Sequence, residues 1–225
     1  KCRRAKSSLH VWERDFRGVR AGRGLLNYLG MRHRWMGLQI GLRGRHQTLN
    51  ASLALAAAEL LTERGFPIGD TELRSGLAKT RWPGRLELIE GAPRVILDGA
   101  HNAGAAAVLK SALRSDFPRR RLILVLGIMA DKDIAGMMAR LVPMADLVIL
   151  TRPRMARAAE ISVLRAHAAP FGRRVVEIQD VPAAVDAALD EGGTEDLVVV
   201  TGSLFTVGEA RGHLVEKGTI PKNEA

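Results

Sequence analysis

The sequence predicts an α/β protein on a doubly wound, mostly parallel sheet, preceded by a smaller piece of a second domain. Three observations predict it. Uninterrupted apolar runs, LILVL at 122–126 and LVVV at 197–200, read as strands buried on both faces, which requires helices on each side of a sheet. Helical patterns lie between these runs, so strand and helix alternate along the second half of the chain. Of the 225 residues 47% are hydrophobic but only 4% aromatic, and cores of Ala, Val, Leu and Ile let helices pack closely on a sheet.

The elements follow in order. Residues 9–16, 24–29 and 34–42 read as short strands separated by Gly turns, from their partial alternation. Residues 46–63 (HQTLNASLALAAAELLTE) are a run of strong helix formers ended by Gly65 and Pro67. A second helix covers 70–77, with Asp70 as its cap and Glu72 in its first turn. Trp82-Pro83-Gly84 breaks either kind of regular element, and the domain boundary is placed there, dividing 1–82 from 83–225. Beyond it strands are expected at 94–97, 122–126, 147–150, 174–178 and 197–200. Helices are expected at 103–114, 134–141, 162–168, 181–189 and 205–216. After Gly218 the chain reads as a frayed tail.

The formal net charge is +10, from 34 Lys+Arg against 24 Asp+Glu, a balance that attracts nucleotides, polycarboxylates or nucleic acid. The arginines (Arg3, Arg4, Arg14, Arg17, Arg20, Arg23, Arg32, Arg34, Arg119, Arg120, Arg121) have almost no aromatics among them, so stacking on nucleic acid is not expected. The single cysteine, Cys2, excludes an internal disulfide framework and a multi-cysteine metal site. No apolar run approaches the roughly 18 residues of a membrane span, and no signal peptide opens the chain, so a cytoplasmic protein without a membrane partner is expected. The chain starts at Lys1 rather than at a methionine, and further sequence upstream is expected.

In doubly wound sheets ligands bind beyond the carboxyl ends of the strands. The residues there are Asp98-Gly99-Ala100-His101-Asn102, Gly127 to Asp133, Thr151-Arg152-Pro153-Arg154 and Thr201-Gly202-Ser203. Asp98 at a strand end suits ribose hydroxyls, while His101 and Asn102 stand where helix N-terminal amides face an anion. Asn102 also reads as a helix cap, and the two readings are compatible. There is no G-x-G-x-x-G, no G-x-x-x-x-G-K-[ST] and no His pair or H-E-x-x-H, which disfavours a dehydrogenase and leaves no metal cage. Any ATP phosphate loop must therefore lie in other sequence.

The segments GLRGRHQTLNASLALAAAELL, RWPGRLE, VILDGAHNAGA, LGIMADKD and VVVTGSLFTVGEAR, in this order and spacing, closely resemble the C-terminal half of the bifunctional dihydrofolate synthase/folylpolyglutamate synthase family, part of the Mur ligase superfamily. The resemblance implies a Rossmann-like C-terminal domain preceded by the end of a central ATPase domain. It implies an ATP-dependent carboxylate-amine ligase: the carboxylate of dihydropteroate or folate becomes an acyl phosphate, and L-glutamate displaces phosphate to form an amide. ATP and Mg²⁺ are the implied cofactors, with the phosphate loop and metal ligands upstream of this chain, which is then expected to be inactive alone and monomeric.

Carried over by motif, Asn50 matches an asparagine that contacts ATP, Arg85 an arginine that reaches its phosphates, and Asp98 an aspartate that contacts ATP. His101 would face the acyl phosphate and glutamate, Lys132 would place a cation near them, and Ser203 would donate to the glutamate carboxylate or nucleotide. Ser203 also reads as the cap of the last helix, and Lys132 lies in a cap-like DKD. The chain departs from the family pattern at Leu204-Phe205 and at Glu13. The alternative reading is a non-catalytic module of the same fold that binds nucleotide or polyglutamate.

Overall fold

A computed structural model describes Arg4 and residues 7–221. Cys2 and Arg3 lie outside the described residues. The chain forms two compact units, Lys1–Trp82 and Pro83–Ala225.

In the first unit three antiparallel strands, β1 (Arg17–Gly22), β2 (Leu25–Leu29) and β3 (Arg34–Gln39), form a meander packed on α1 (Gln47–Glu63), with α2 (Asp70–Lys79) against β3. Phe16, Leu26, Tyr28, Leu38, Leu55 and Leu73 fill its core. The first strand is not at 9–16 as expected. That stretch is a turn in which Asp15 accepts the Val11 N–H at 2.7 Å and Glu13 takes a φ of 66°, so the alternation there belongs to no ladder. The true strand, RGVRAG, carries no inward apolar residue. Its inward position is Gly18, where a Cβ would come within 2.0 Å of Ser52 Oγ on α1. The strand lacks a side chain because the helix passes too close for one.

Glu59, buried on α1, ties this unit together. Its Oε2 accepts the Tyr28 hydroxyl at 2.9 Å and the Met31 N–H at 3.1 Å, and its Oε1 accepts the Arg32 and His33 N–H groups at 3.3 and 2.8 Å. Burial pushes its carboxyl up, but the four donors outweigh burial and hold it below the ordinary range.

The second unit is a six-stranded sheet: β4 (Glu87–Ile89), β5 (Arg94–Asp98), β6 (Leu122–Leu126), β7 (Leu147–Leu150), β8 (Arg174–Glu177) and β9 (Leu197–Thr201) in the order β4-β5-β9-β6-β7-β8. All neighbours are parallel except β4, an antiparallel edge that the sequence reading missed. Alternate residues of each strand enter separate cores. One face, with Ile96, Leu124 and Val199, is covered by α3 (Ala103–Asp116), α4 (Ile134–Leu141) and α5 (Ile161–Ala168). The other, with Val95, Val125 and Val200, is covered by α6 (Val181–Glu191) and α7 (Leu204–Glu216). Of the tail expected to fray after Gly218, the described part is docked, since Ile220 is buried beneath α7 and its N–H meets Leu214 O at 3.1 Å, and residues 222–225 lie outside the described residues.

Charge divides as sharply as structure. Residues 1–82 hold 16 Lys+Arg and six Asp+Glu, whereas 83–225 hold 18 of each, so the whole +10 belongs to the first unit.

Candidate functional site

Three parallel strands of the second unit end in one row: Asp98 on β5 pairs with Thr201 on β9, and Thr201 with Leu126 on β6. Leu150 of β7 continues the row. The loops that follow leave at one rim, with Asp98 and Leu126 about 10 Å apart, two strand spacings. Asp98, His101, Lys132 and Ser203 all belong to this rim, where α3, α4 and α7 also begin. Aligned helix N-termini with a lysine nearby suit phosphate or carboxylate groups.

Asp98 is half-buried and already engaged. Its Oδ1 accepts the Ala100 N–H and its Oδ2 the Leu86 N–H, each at 3.0 Å. Through the second bond it grips the turn Pro83-Gly84-Arg85-Leu86-Glu87. Gly84 has a φ of 71°, and Leu86, buried and with a side chain, nevertheless has a φ of 44°. Gly84 O accepts the Gly99 N–H at 2.8 Å, and Gly84 N–H donates to Glu87 Oε2 at 2.7 Å. Glu87 in turn receives Arg211 Nε of α7 at 3.0 Å. Between the two left-handed residues Arg85 is exposed.

His101 Nδ1 lies 2.9 Å from Gly99 O. A carbonyl only accepts, so Nδ1 carries a proton, and in the tautomer this selects Nε2 is the nitrogen that faces away from Gly99 and can accept. Asn102 caps α3, its Oδ1 accepting the Ala105 N–H at 2.8 Å. Lys132 Nζ donates to Asp131 Oδ2 at 2.8 Å, and this bond holds the Asp131 carboxyl below its ordinary range. Asp133, not Lys132, caps α4 by accepting the Gly136 N–H.

Ser203 is buried, and its hydroxyl is spent within the fold. Its oxygen accepts the Thr206 N–H at 3.0 Å, capping α7, and lies 2.8 Å from Thr206 Oγ1. Thr206 donates its own proton to Gly127 O at 2.9 Å, so the Ser203 proton goes to Thr206. The capping role is therefore the one this structure displays. The chain Ser203–Thr206–Gly127 joins the ends of β9 and β6, and at Gly127 a Cβ would meet Thr206 Oγ1 at 2.6 Å.

Asn50 belongs to the first unit, exposed on the first turn of α1. Its Nδ2 donates to Gln47 Oε1 at 2.9 Å, and Gln47 Nε2 donates to His46 Nε2 at 3.0 Å. Gln47 is buried, so this chain fixes the rotamer of the Asn50 amide. Sequence reasoning missed Leu86, Glu87, Thr206, Arg211 and Gln47. All five lie within the family-like segments, Leu86 and Glu87 in RWPGRLE, Gln47 in GRHQTLN, and Thr206 and Arg211 in VVVTGSLFTVGEAR, but nothing in their spacing marked them as supports. Among the described residues no group of three or more His, Cys, Asp or Glu is placed to hold a metal, and no helix is long and apolar enough to cross a membrane.

The family model described as Mur ligase, glutamate ligase domain matches residues 84–204. The chain belongs to the Mur ligase family. Among its relatives, the dihydrofolate synthase/folylpolyglutamate synthase of Mycobacterium tuberculosis is 33% identical over 212 residues, covering 87% of this chain and 44% of the relative. The solved M. tuberculosis folylpolyglutamate synthase complexed with ADP superposes with a TM-score of 0.86 at 32% identity, covering 94% of this chain and 50% of that one. A bifunctional folylpolyglutamate synthase/dihydrofolate synthase solved with Mn, AMPPNP and L-glutamate bound gives a TM-score of 0.78 at 25% identity, covering 97% and 50%. The chain thus spans about half the length of these relatives, corresponding to their C-terminal half.

Proposed function

We propose that this chain is the C-terminal half of an ATP-dependent ligase that joins L-glutamate to dihydropteroate or a folate through an acyl phosphate. A carboxylate is a poor electrophile, so the chemistry needs ATP to activate it and a closed site to keep water from the activated group. The observation that carries the reading is the single rim: Arg85, Asp98, His101 and Lys132 stand around the ends of β5, β9 and β6, and the family and the named relatives supply the reaction.

In this reading residues 1–82 are the end of the central ATP-binding domain and 83–225 the C-terminal domain. Arg85 stabilises phosphate charge with its planar guanidinium. Asp98 holds its turn and accepts from nucleotide hydroxyls, and Asn50 contributes its oriented amide to ATP. Lys132 exchanges Asp131 for a phosphate or the glutamate carboxylate. His101 offers Nε2 to the amine of glutamate and can take its proton. Ser203 acts by ordering the start of α7 rather than through its committed hydroxyl. Mg²⁺ finds no His, Cys, Asp or Glu ligand group among the described residues. The protein is read as a cytoplasmic monomer whose ligands are small anions rather than nucleic acid.

The test is ligation and glutamate-dependent ATP hydrolysis by the full-length protein bearing Arg85→Ala, Asp98→Ala or His101→Ala. Each should lose roughly 100-fold or more in turnover, the scale of removing one oriented charge-stabilising group. Wild-type turnover in all three overturns the assignments.

A further inference from the structure

The turn that carries Arg85 holds more constraint than a surface arginine needs. A non-glycine residue at positive φ is strained and persists only where its surroundings over-determine it. Leu86 sits at 44° with its side chain buried and its N–H on Asp98, and Gly84 at 71° has its N–H on Glu87 and its carbonyl on Gly99. A Cβ at Gly84 would meet Val207 of α7 at 2.8 Å, so the turn is pressed against that helix. Glu87 is the knot: one carboxylate accepts both the Gly84 N–H and Arg211 Nε of α7, with the Glu87 and Arg211 side chains only 19% and 14% exposed. A partly buried ion pair whose acid also bonds the turn backbone does more than stabilise, because it aims the residue between the two left-handed positions.

We propose that Glu87 and Arg211 are positioning residues for Arg85, touching no ligand but fixing the direction in which its guanidinium meets the nucleotide phosphates. The inference rests on the phosphate-binding reading of Arg85 and adds to it two residues to which the motifs assigned no role. Relaxing the turn lets Gly84 and Leu86 leave the left-handed region and swings the Cα–Cβ bond of Arg85. A misplacement of about 1 Å costs on the order of 100-fold in a site that works by orientation.

The experiment is a double-mutant cycle in the full-length ligase, reading kcat/KM for ATP and KM for glutamate. Glu87→Gln removes the charge that holds Arg211, and is expected to lower kcat/KM for ATP by about 10-fold or more while leaving the glutamate KM unchanged. Arg211→Lys keeps the charge but loses the Nε–H, and should act in the same direction by about 3-fold, serving as the milder variant if Glu87→Gln folds poorly. On an Arg85→Ala background both should cost nothing further for ATP, since there is no longer a guanidinium to aim. An equal loss with and without Arg85 overturns the proposal, as does an unchanged kcat/KM for ATP in both variants while Arg85→Ala is impaired. Wild-type ATP kinetics in Arg85→Ala itself removes the phosphate reading of that residue and this inference with it.

Discussion

Replacing Glu59 with glutamine puts an NH₂ group among four groups that now donate to the carboxylate. Oε2 receives Tyr28 O–H and Met31 N–H, and Oε1 receives Arg32 N–H and His33 N–H, with His33 Nδ1 also 3.2 Å away. Whichever way the amide turns, at least two donors lose their acceptor inside a side chain that is 1% exposed. At about 1–3 kcal/mol for each stranded group, Glu59→Gln should lose roughly 2–6 kcal/mol. All three tryptophans, Trp12, Trp35 and Trp82, lie in the first unit, and Trp35 stacks on both Tyr28 and His33, so tryptophan fluorescence in urea reads this unit directly. The pH dependence has a definite sign. The native carboxyl is depressed, so its contribution is present above the unfolded value near 4.3 and is lost as pH falls through the native one. The gap between wild type and Glu59→Gln should therefore narrow from about pH 7 toward about pH 3. A loss below about 0.5 kcal/mol, or a gap that stays constant with pH, would refute the reasoning.

Gly18→Ala should destabilise the first unit by about 1–3 kcal/mol in the same urea assay, because its Cβ falls on Ser52 Oγ, and Gly18→Ala with Ser52→Gly should recover part of that. Thr206→Val strands the Ser203 hydroxyl and Gly127 O, and should lower stability by about 1–3 kcal/mol by thermal denaturation, with Thr206→Ser closer to wild type. Asp196 accepts Arg121 Nη2 at 2.7 Å, Arg121 Nε at 3.0 Å and Gly193 N–H at 2.9 Å, and the Arg121 bonds hold its carboxyl below the ordinary range. Its contribution is present above the unfolded value and lost as pH falls, so Asp196→Ala should cost about 2 kcal/mol near neutrality and little in acid, measured by circular dichroism in urea.

The second unit's parallel strands were legible because burial on both faces erases alternation, so LILVL and LVVV could stand only inside a covered sheet. β1 was not, because its pattern is set by a helix 30 residues away that leaves room only for Gly18. β4 is three residues long, with one fully buried side chain, and gave no period to detect. At the rim the loops were readable since motif residues follow strand ends directly. Their supports were not, because Glu87–Arg211 and Thr206–Gly127 join residues separated by 124 and 79 positions. Ser203 shows the limit of motif reasoning, since a hydroxyl fit for a ligand is equally fit for the cap that the helix start requires.

The uneven placement of charge has a kinetic meaning. The ligands of the proposed reaction are all anions, and a polypeptide whose entire excess of cations sits on its first 82 residues would draw such ligands from solution toward one end of its sequence. Capture rates for such ligands should fall steeply as added salt shortens the reach of that field, while turnover of ligand already bound is left nearly untouched.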